Sequence, residues 1–162
     1  MKCYFLRHGN AVEPAEWRGS DDDRPLTPEG IKRMHGEAKA IADFAADVDV
    51  IVTSPLLRAR QTADIVADRL RLRNAVVEDA RIAHGFNAES CGAILRERGA
   101  AGSIVLVGHE PTMSAVIGSL CDGANVELKK GGLAGIELAD RFATSGTLIC
   151  LIPPKVLIRA SK

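Results

Sequence analysis

The sequence has no excess of either charge. Its 162 residues include 21 Lys or Arg and 21 Asp or Glu, so the formal net charge at pH 7 is zero when histidine is counted as neutral. A chain that binds nucleic acid or an anionic membrane through its overall charge needs a basic surplus, and this balance excludes that mode. We therefore expect neither nucleic acid nor a membrane as a partner, and any recognition of an anion must be local.

Long hydrophobic runs and paired cysteines are also absent. No run approaches the roughly 18 apolar residues that a membrane-spanning helix needs, and the opening strand is too short for the apolar region of a signal peptide. The cysteines, at positions 3, 91, 121 and 150, form no C-x-x-C pair, which argues against a zinc ribbon or a redox motif. These absences favour a reduced, cytoplasmic setting.

The chain does contain enough apolar residues for one core. Hydrophobic residues make up 46% of the 162 positions, which suits one domain over residues 1–162 rather than two. Strand-like runs alternate with helical segments, and this alternation predicts a layered α/β domain. The predicted strands are residues 3–6, 49–53, 75–77, 104–108, 133–138 and 147–152. The predicted helices are residues 27–46, 54–72, 89–98 and 112–120.

The first predicted strand leads into Arg7-His8-Gly9. A neutral imidazole can attack phosphorus, and a neighbouring guanidinium both holds phosphoryl oxygens and disfavours the protonated, non-nucleophilic ring. The pair of Arg7 and His8 therefore points to phosphate chemistry. For the tripeptide alone, the alternative is a polar strand end that enters a glycine turn.

Basic side chains also follow two later strands. Arg58 falls in the first turn of the helix after strand 49–53, where a cation opposes the helix dipole unless an anion lies between it and the free backbone N–H groups. His109 follows strand 104–108. Because open α/β sheets bind ligands beyond the carboxyl ends of their strands, we expect His8, Arg58 and His109 to converge there. Taken singly, the alternatives are a solvated arginine paired with an acid and a structural histidine.

Two histidines together with Glu110 resemble the ligand set of some zinc sites. A divalent cation would be repelled by the permanent charges of Arg7 and Arg58, whereas a phosphoryl group would be attracted by them. We therefore predict no metal and no cofactor. The acidic tract of residues 21–23 lacks the ligand spacing of a calcium loop and is interpreted as a solvated loop.

Taken in order, these residues resemble a known family. The motifs are Arg7-His8-Gly9, RPLTPEG at 24–30, SPLLRARQT at 54–62 and GHEP at 108–111, followed by the segments 130–133 and 152–155. Together they are similar to the histidine phosphatase superfamily, also called phosphoglycerate mutase-like, and most resemble its compact SixA-type phosphohistidine phosphatase branch. The resemblance implies a three-layer α/β sandwich, with a mostly parallel sheet and helices on both faces.

The resemblance also implies roles for particular residues. His8 would be the nucleophile that is transiently phosphorylated, and water would then release the phosphate. Arg7, Arg58 and His109 would bind the phosphoryl oxygens during the transfer, with His109 protonated once phosphate is bound. Asn10, in the same loop as His8, is a candidate for hydrogen-bonding the phosphate, and shaping of the turn is its alternative.

A general acid is the part of the family pattern that this sequence does not clearly match. Many larger members carry a carboxylate on a longer insertion before the last active-site strand, and that insertion has no clear counterpart here. Glu110 resembles the position of the acid in another branch, and a solvated or helix-terminal carboxylate is its alternative. Weaker candidates for the acid are Glu78, Asp79 and Glu89. His84 is expected at the rim or exposed, and His35 is expected to be structural or exposed on its helix.

The stretch of residues 79–103 is too short to form a lid, so we expect an open site. An open site admits a phosphorylated side chain presented by another protein, which matches a phosphohistidine phosphatase with a phosphohistidine-bearing protein partner. The P–N bond of phosphohistidine is labile, so a weak or missing acid matters less than it does for an alkyl phosphate ester. Two alternatives are a small-molecule phosphomonoesterase acting on a phosphorylated metabolite and a non-catalytic phosphate-binding module.

Overall fold

A six-stranded sheet forms the centre of the protein in a computed structural model, which describes residues 1–98 and 100–161. Its strands are β1 (Lys2–Arg7), β2 (Val50–Thr53), β3 (Val76–Glu78), β4 (Ser103–Gly108), β5 (Leu133–Leu138) and β6 (Gly146–Ile152). They lie in the order β3-β2-β4-β1-β5-β6. The pairs β3-β2, β2-β4 and β4-β1 are parallel, whereas β1-β5 and β5-β6 are antiparallel. The expected mostly parallel sheet is therefore confirmed.

The described residues form five α-helices. They are α1 (Pro28–Phe44), α2 (Leu57–Leu70), α3 (Ala88–Glu97), α4 (Thr112–Leu120) and α5 (Pro154–Ala160). Local sequence explains where α1 begins, because the Thr27 hydroxyl accepts a hydrogen bond from the Gly30 N–H and Pro28 takes the first helical position. In the part of the chain that the structure describes, no helix is long and apolar enough to cross a membrane.

Helices cover both faces of the sheet. The central strand β4 shows how the sheet divides two apolar cores, since Ile104 and Leu106 face one core and Val105 and Val107 face the other. The first core is completed by α3 and α4, and the second by α1, α2 and α5. This arrangement is the three-layer α/β sandwich that the resemblance implies.

The predicted and observed elements differ at their ends and in two short segments. The helix predicted from residue 54 begins at Leu57, because Leu56 is extended with φ −60° and ψ 130°. This leaves Ser54 at the end of β2 rather than inside a helix. Residues 21–23 form a single 3-10 turn, and α5 was not predicted because its seven residues are too short for a clear helical period.

One carboxylate is buried inside the second core. Glu37 in α1 is only 2% exposed, and it lies against the backbone of Gly131, which has a φ of 78° and no Cβ to obstruct it. The guanidinium of Arg33 approaches to 3.9 Å. Burial raises the pKa of Glu37 to about 7, and the charge of Arg33 offsets only part of this effect.

The buried carboxyl group of Glu37 is expected to make the protein less stable as the pH rises. Its folded-state pKa is above the value in an unfolded chain, so the folded state keeps a proton that the unfolded state releases, and this contribution is lost as the pH rises through 7. Because Glu37→Gln removes the titration, the stability of the variant relative to wild type should increase by about 2 kcal/mol between pH 5 and pH 8. Urea unfolding at both pH values measures this change, with Glu29→Gln, exposed on the same helix, as the control. A difference that does not vary with pH would show that Glu37 does not titrate in this range.

Candidate active site

The carboxyl ends of β1, β4 and β2 form one edge of the sheet and end at the same level. Main-chain hydrogen bonds continue just past these ends. The N–H of His8 donates to the carbonyl of Gly108 at 3.1 Å, and the N–H of Ser54 donates to the carbonyl of Val107 at 3.0 Å. The residues that follow the three strands, His8, Ser54 and His109, are thereby fixed next to one another.

His8 and His109 lie side by side at this edge. Their ring centroids are 5.2 Å apart and their planes are inclined by 50°. Only 6% of His8, 5% of Arg58 and 8% of His109 is exposed, so the three side chains are largely shielded from solvent. Burial is the main cause of a lowered pKa at both rings, and the nearby charge of Arg58 adds to it. The structure thus brings together three side chains that the sequence places after two different strands and in the first turn of a helix.

The ring of His8 is held by its own loop. Its Nδ1 lies 2.7 Å from the carbonyl oxygen of Gly9, and because a carbonyl can only accept, Nδ1 carries the proton and donates. Burial lowers the pKa of His8 to about 3, and the neighbouring positive charges act in the same direction. The ring is therefore neutral at pH 7 with its lone pair on Nε2, the nitrogen that can act as a nucleophile.

The ring of His109 is oriented by Ser54. Its Nε2 lies 2.8 Å from the Ser54 hydroxyl, which accepts a hydrogen bond from the N–H of Leu56 at 3.2 Å and can donate its own hydrogen to Nε2. Burial lowers the pKa of His109 to about 4, and the charge of Arg58 adds to the effect. At neutral pH the ring is thus uncharged, and a dianion placed beside it would favour the protonated form.

Arg7 is fixed by the loop that precedes β5. Its Nη1 donates to the carbonyl of Leu128 at 3.0 Å, and the N–H of Gly131 lies 3.1 Å from the carbonyls of both Arg7 and His8. Burial lowers the pKa of Arg7, whereas the charge of Glu110 opposes this change. The loop therefore holds both the side chain of Arg7 and the backbone on which His8 is mounted.

Arg58 lies in the first turn of α2 as expected, but it already has a carboxylate partner. Its Nη1 donates to the backbone oxygen of Asp21 at 2.7 Å, and its Nη2 donates to the Asp21 carboxylate at 2.9 Å. Arg58 is thus paired with an acid, yet it is buried rather than solvated. Residues 21–23 are exposed, as expected for a solvated loop, but Asp21 also folds back onto the start of α2 and pairs with Arg58 there.

Three nitrogen atoms of these side chains are buried and have no hydrogen-bond partner. They are Nε of Arg7, Nε of Arg58 and Nδ1 of His109. Among the other side-chain nitrogen and oxygen atoms of residues 1–98 and 100–161, only Arg98 Nε and Ser103 Oγ share this property. An unpaired buried donor costs about 1–3 kcal/mol, so three such atoms on the side chains around His8 indicate a site for a group with several acceptor oxygens.

The remaining phosphate and acid candidates have other contacts. One carboxylate oxygen of Glu110 accepts a hydrogen bond from the N–H of Ser114 at 3.2 Å, so this side chain turns toward the first turns of α4. The backbone oxygen of Asn10 accepts from the N–H of Thr27 at 3.0 Å and joins the His8 loop to the start of α1. The Glu110 contact matches the alternative interpretation of that residue as a helix-terminal carboxylate. The Asn10 contact is made by its backbone, so phosphate binding by the Asn10 side chain stays a prediction.

The weaker acid candidates lie in ion pairs or on the surface. Glu78 pairs with Arg60 at 2.9 Å, and Asp79 pairs with Arg81 at 2.6 Å. The other residues considered, Glu89, His84 and His35, are exposed. Within the described residues, no group of three or more His, Cys, Asp or Glu side chains is arranged to hold a metal ion. The arrangement instead suits a tetrahedral oxyanion held beside a neutral imidazole.

Comparison with known proteins bears directly on this site. A model of the histidine phosphatase superfamily, branch 1, matches residues 3–84, a range that includes Arg7, His8 and Arg58. The chain belongs to the histidine phosphatase superfamily. The family resemblance of the sequence motifs is therefore confirmed.

Individual relatives extend the similarity of this histidine phosphatase over its whole length. An uncharacterised protein of Picosynechococcus sp. strain PCC 7002 is 34% identical over 169 residues, 98% of this chain and 99% of that protein. The phosphohistidine phosphatase SixA of Escherichia coli K12 is 28% identical over 126 residues, 76% of each chain. Among solved structures, the protein histidine phosphatase SixA complexed with tungstate has a TM-score of 0.85 and 24% identity, covering 96% of this chain and 98% of that one. The phosphoglycerate mutase-like fold is thereby confirmed.

Two side chains of the histidine phosphatase site are missed by sequence reasoning. The sequence pattern predicts that Ser54 begins a helix. A signal for its place in the site does exist, because Ser54 directly follows β2, the parallel neighbour of β4. Asp21 has no comparable signal, since 37 residues separate it from Arg58 and their contact depends on the path of the intervening chain.

Proposed function

We propose that this histidine phosphatase hydrolyses phosphohistidine on a protein partner through a phosphohistidine intermediate at His8. The observation that carries the proposal is the set of three buried, unpartnered nitrogens on Arg7, Arg58 and His109, next to a neutral His8. Similarity to the phosphohistidine phosphatase SixA of Escherichia coli supports the substrate class. The chain acts as a single domain over residues 1–162 and needs no cofactor.

In the first step, the Nε2 lone pair of His8 forms a bond to phosphorus. The P–N bond of the substrate breaks, its electron pair stays on the leaving imidazole nitrogen, and that nitrogen takes a proton from water. Arg7, Arg58 and His109 donate hydrogen bonds to the phosphoryl oxygens as charge shifts between the entering and leaving nitrogens. Removing a preorganised donor of this kind typically raises the barrier by about 3 kcal/mol.

In the second step, water attacks the phosphorus of the phosphoenzyme. The bond between phosphorus and Nε2 breaks, its electron pair returns to His8, and the attacking water loses a proton to bulk solvent as phosphate is released. The hydrogen bond from Nδ1 to the Gly9 carbonyl keeps the ring in one orientation through both steps. His109 takes up a proton when the phosphoryl dianion is bound, because the adjacent negative charge favours the charged ring.

The contacts of Glu110 favour a phosphoramidate substrate over an alkyl ester. One oxygen of this carboxylate accepts from the backbone of α4, which reduces its freedom to deliver a proton. An alkoxide leaving group requires a well-placed general acid. The P–N bond of phosphohistidine is labile, so its cleavage depends less on such an acid. The site is therefore better equipped for phosphohistidine than for a sugar phosphate.

Among the described residues, the segment between β3 and β4 contains a 3-10 turn and α3 and no separate lid domain. Ile82, Phe86 and Ile94 of this segment are buried in the first core, so the chain between β3 and β4 packs along the sheet face. A crevice without a lid accepts a side chain presented by another protein more readily than it encloses a small metabolite. This packing supports a phosphohistidine-bearing protein as the partner.

A substrate panel tests the proposed function. Phosphohistidine peptides, phosphoserine and phosphotyrosine peptides, and small phosphate esters are compared for wild type and Glu110→Gln. We expect kcat/KM to be highest for phosphohistidine, with a change of less than about 3-fold in Glu110→Gln. Turnover of only the small esters would instead identify a phosphomonoesterase, and tight phosphate binding without any turnover would identify a binding module.

Ser54→Ala is expected to reduce kcat/KM for phosphohistidine by about 10-fold, because it removes the hydroxyl that sets the orientation of the His109 ring. The loss should fall mainly on kcat, since the arginines that bind phosphate remain in place. Steady-state kinetics measures the effect, and Ser119→Ala, exposed on α4, is the control. Unchanged kinetics in Ser54→Ala would show that this hydroxyl does not position His109 for the reaction.

A further inference from the structure

We propose that Asp21 is a positioning residue that holds Arg58 in the orientation needed to bind the phosphoryl group, an inference that rests on the proposed function. Both terminal nitrogens of the Arg58 guanidinium donate to this one residue. Nη1 donates to the Asp21 backbone oxygen at 2.7 Å and Nη2 to its carboxylate at 2.9 Å. Two hydrogen bonds to one residue fix both the position and the plane of the guanidinium.

The hydrogens that Asp21 leaves unused are the ones available to the substrate. Guanidinium carries five N–H groups, of which Asp21 takes two. Nε of Arg58 is buried without a partner, and only 7% of the side chain is exposed. A phosphoryl oxygen can therefore bind at Nε and the second hydrogen of a terminal nitrogen, without displacing Asp21. An arginine fixed in advance loses less side-chain entropy when the substrate binds.

Asp21 is itself held rigidly. The second oxygen of its carboxylate accepts from Nε of Arg24 at 2.8 Å, and Nη1 of Arg24 donates to the carbonyl of Val12 at 2.6 Å. The indole N–H of Trp17 donates to the carbonyl of Ser20 at 2.8 Å. Hydrogen bonds within the segment before α1 therefore hold the chain on both sides of Asp21, although 53% of the Asp21 side chain is exposed.

Two other roles for Asp21 fit the contacts less well. The hydrogen bond from Arg24 is the main cause of a lowered pKa at Asp21, and the charge of Arg58 adds to it, so the carboxylate stays ionised and has no proton to donate as a general acid. A phosphate that replaced Asp21 on Arg58 would also have to break the bond to the backbone oxygen. Displacement would therefore cost two hydrogen bonds, whereas binding at Nε costs none.

Tungstate binding and turnover test this role in Asp21→Ala and Asp21→Asn. Asp21→Ala is expected to weaken tungstate binding and to lower kcat/KM for phosphohistidine by about 10-fold each, because Arg58 loses the carboxylate that orients it. Asp21→Asn keeps an acceptor oxygen for Nη2, so it should stay within about 3-fold of wild type in both measurements. Asp23→Ala, in the same exposed tract but with no side-chain hydrogen bond or ion pair to Arg58, is the matched control.

The outcomes separate this inference from the proposed function. Tungstate affinity in Asp21→Ala that equals or exceeds that of wild type would overturn the inference, since the carboxylate would then be neutral or a competitor for Arg58. Tungstate affinity does not depend on the identity of the substrate, so this result decides the role of Asp21 even if phosphohistidine is not hydrolysed. A wild-type protein that bound no tungstate would overturn the proposed function and this inference with it.

Discussion

His8→Ala is expected to reduce turnover of a phosphohistidine peptide by at least about 10⁴-fold. The variant has no nitrogen that can accept the phosphoryl group, so the two-step path through a phosphoenzyme is closed. The second ring cannot replace the first, because His109 is engaged by the Ser54 hydroxyl and its centroid lies 5.2 Å from that of His8. Only direct attack by water remains.

The matched control for this substitution is His35→Ala, which removes an exposed histidine on α1 and should leave kcat/KM unchanged. His8→Ala should still bind tungstate, since Arg7, Arg58 and His109 keep their donors. The activity loss is measured by single-turnover kinetics at saturating enzyme, which separates chemistry from substrate binding. Turnover of His8→Ala above about 1% of wild type would exclude His8 as the essential nucleophile.

Arg58→Ala is the substitution with the second largest expected effect, a reduction of kcat/KM by about 10²- to 10³-fold. The guanidinium is buried next to both histidines, where a hydrogen bond to a phosphoryl oxygen is strong because little water competes. Arg58→Lys should recover only a small part of the activity, since an ammonium group cannot bind Asp21 and the phosphoryl group with the same fixed geometry.

Arg60→Ala provides the control, because Arg60 lies on the same helix but pairs with Asp64 and Glu78 at the surface. It should remain within about 2-fold of wild type, as exposed ion pairs contribute little. Steady-state kinetics together with tungstate titration should show that Arg58→Ala weakens anion binding and slows the chemical step. An effect no larger than that of Arg60→Ala would place Arg58 outside the phosphate site.

The sequence predicts the fold well because its strands are strongly patterned. The run from Ile104 to Val107 is uniformly apolar, as expected for a central strand covered on both faces, and its flanking polar residues mark where it ends. Thr27 and Pro28 likewise predict the start of α1, as a capping residue and a proline in the first turn. The last helix is not predictable in the same way, since seven residues after β6 do not complete a recognisable helical pattern.

The candidate site is only partly predictable for a different reason. His8 and His109 follow parallel strands, so topology alone places them at one edge of the sheet. Asp21 reaches Arg58 through a folded-back segment whose path depends on several side-chain hydrogen bonds, and no periodic pattern encodes such a path. The Glu110 side chain could point into the crevice or accept a hydrogen bond from the backbone of α4. The sequence does not distinguish these two conformations, and the structure shows the second.

The most direct test of the account is the nitrogen that carries the phosphoryl group in the trapped enzyme. Because Nδ1 of His8 donates to the Gly9 carbonyl, only Nε2 has a lone pair available to phosphorus. Protein with ¹⁵N-labelled histidine is reacted with a phosphohistidine peptide, quenched in base to preserve the P–N bond, and examined by ³¹P and ¹⁵N NMR after proteolysis. We predict one phosphoryl group on Nε2 of His8. A phosphoryl group on Nδ1 of His8, or on any other residue, would contradict the account.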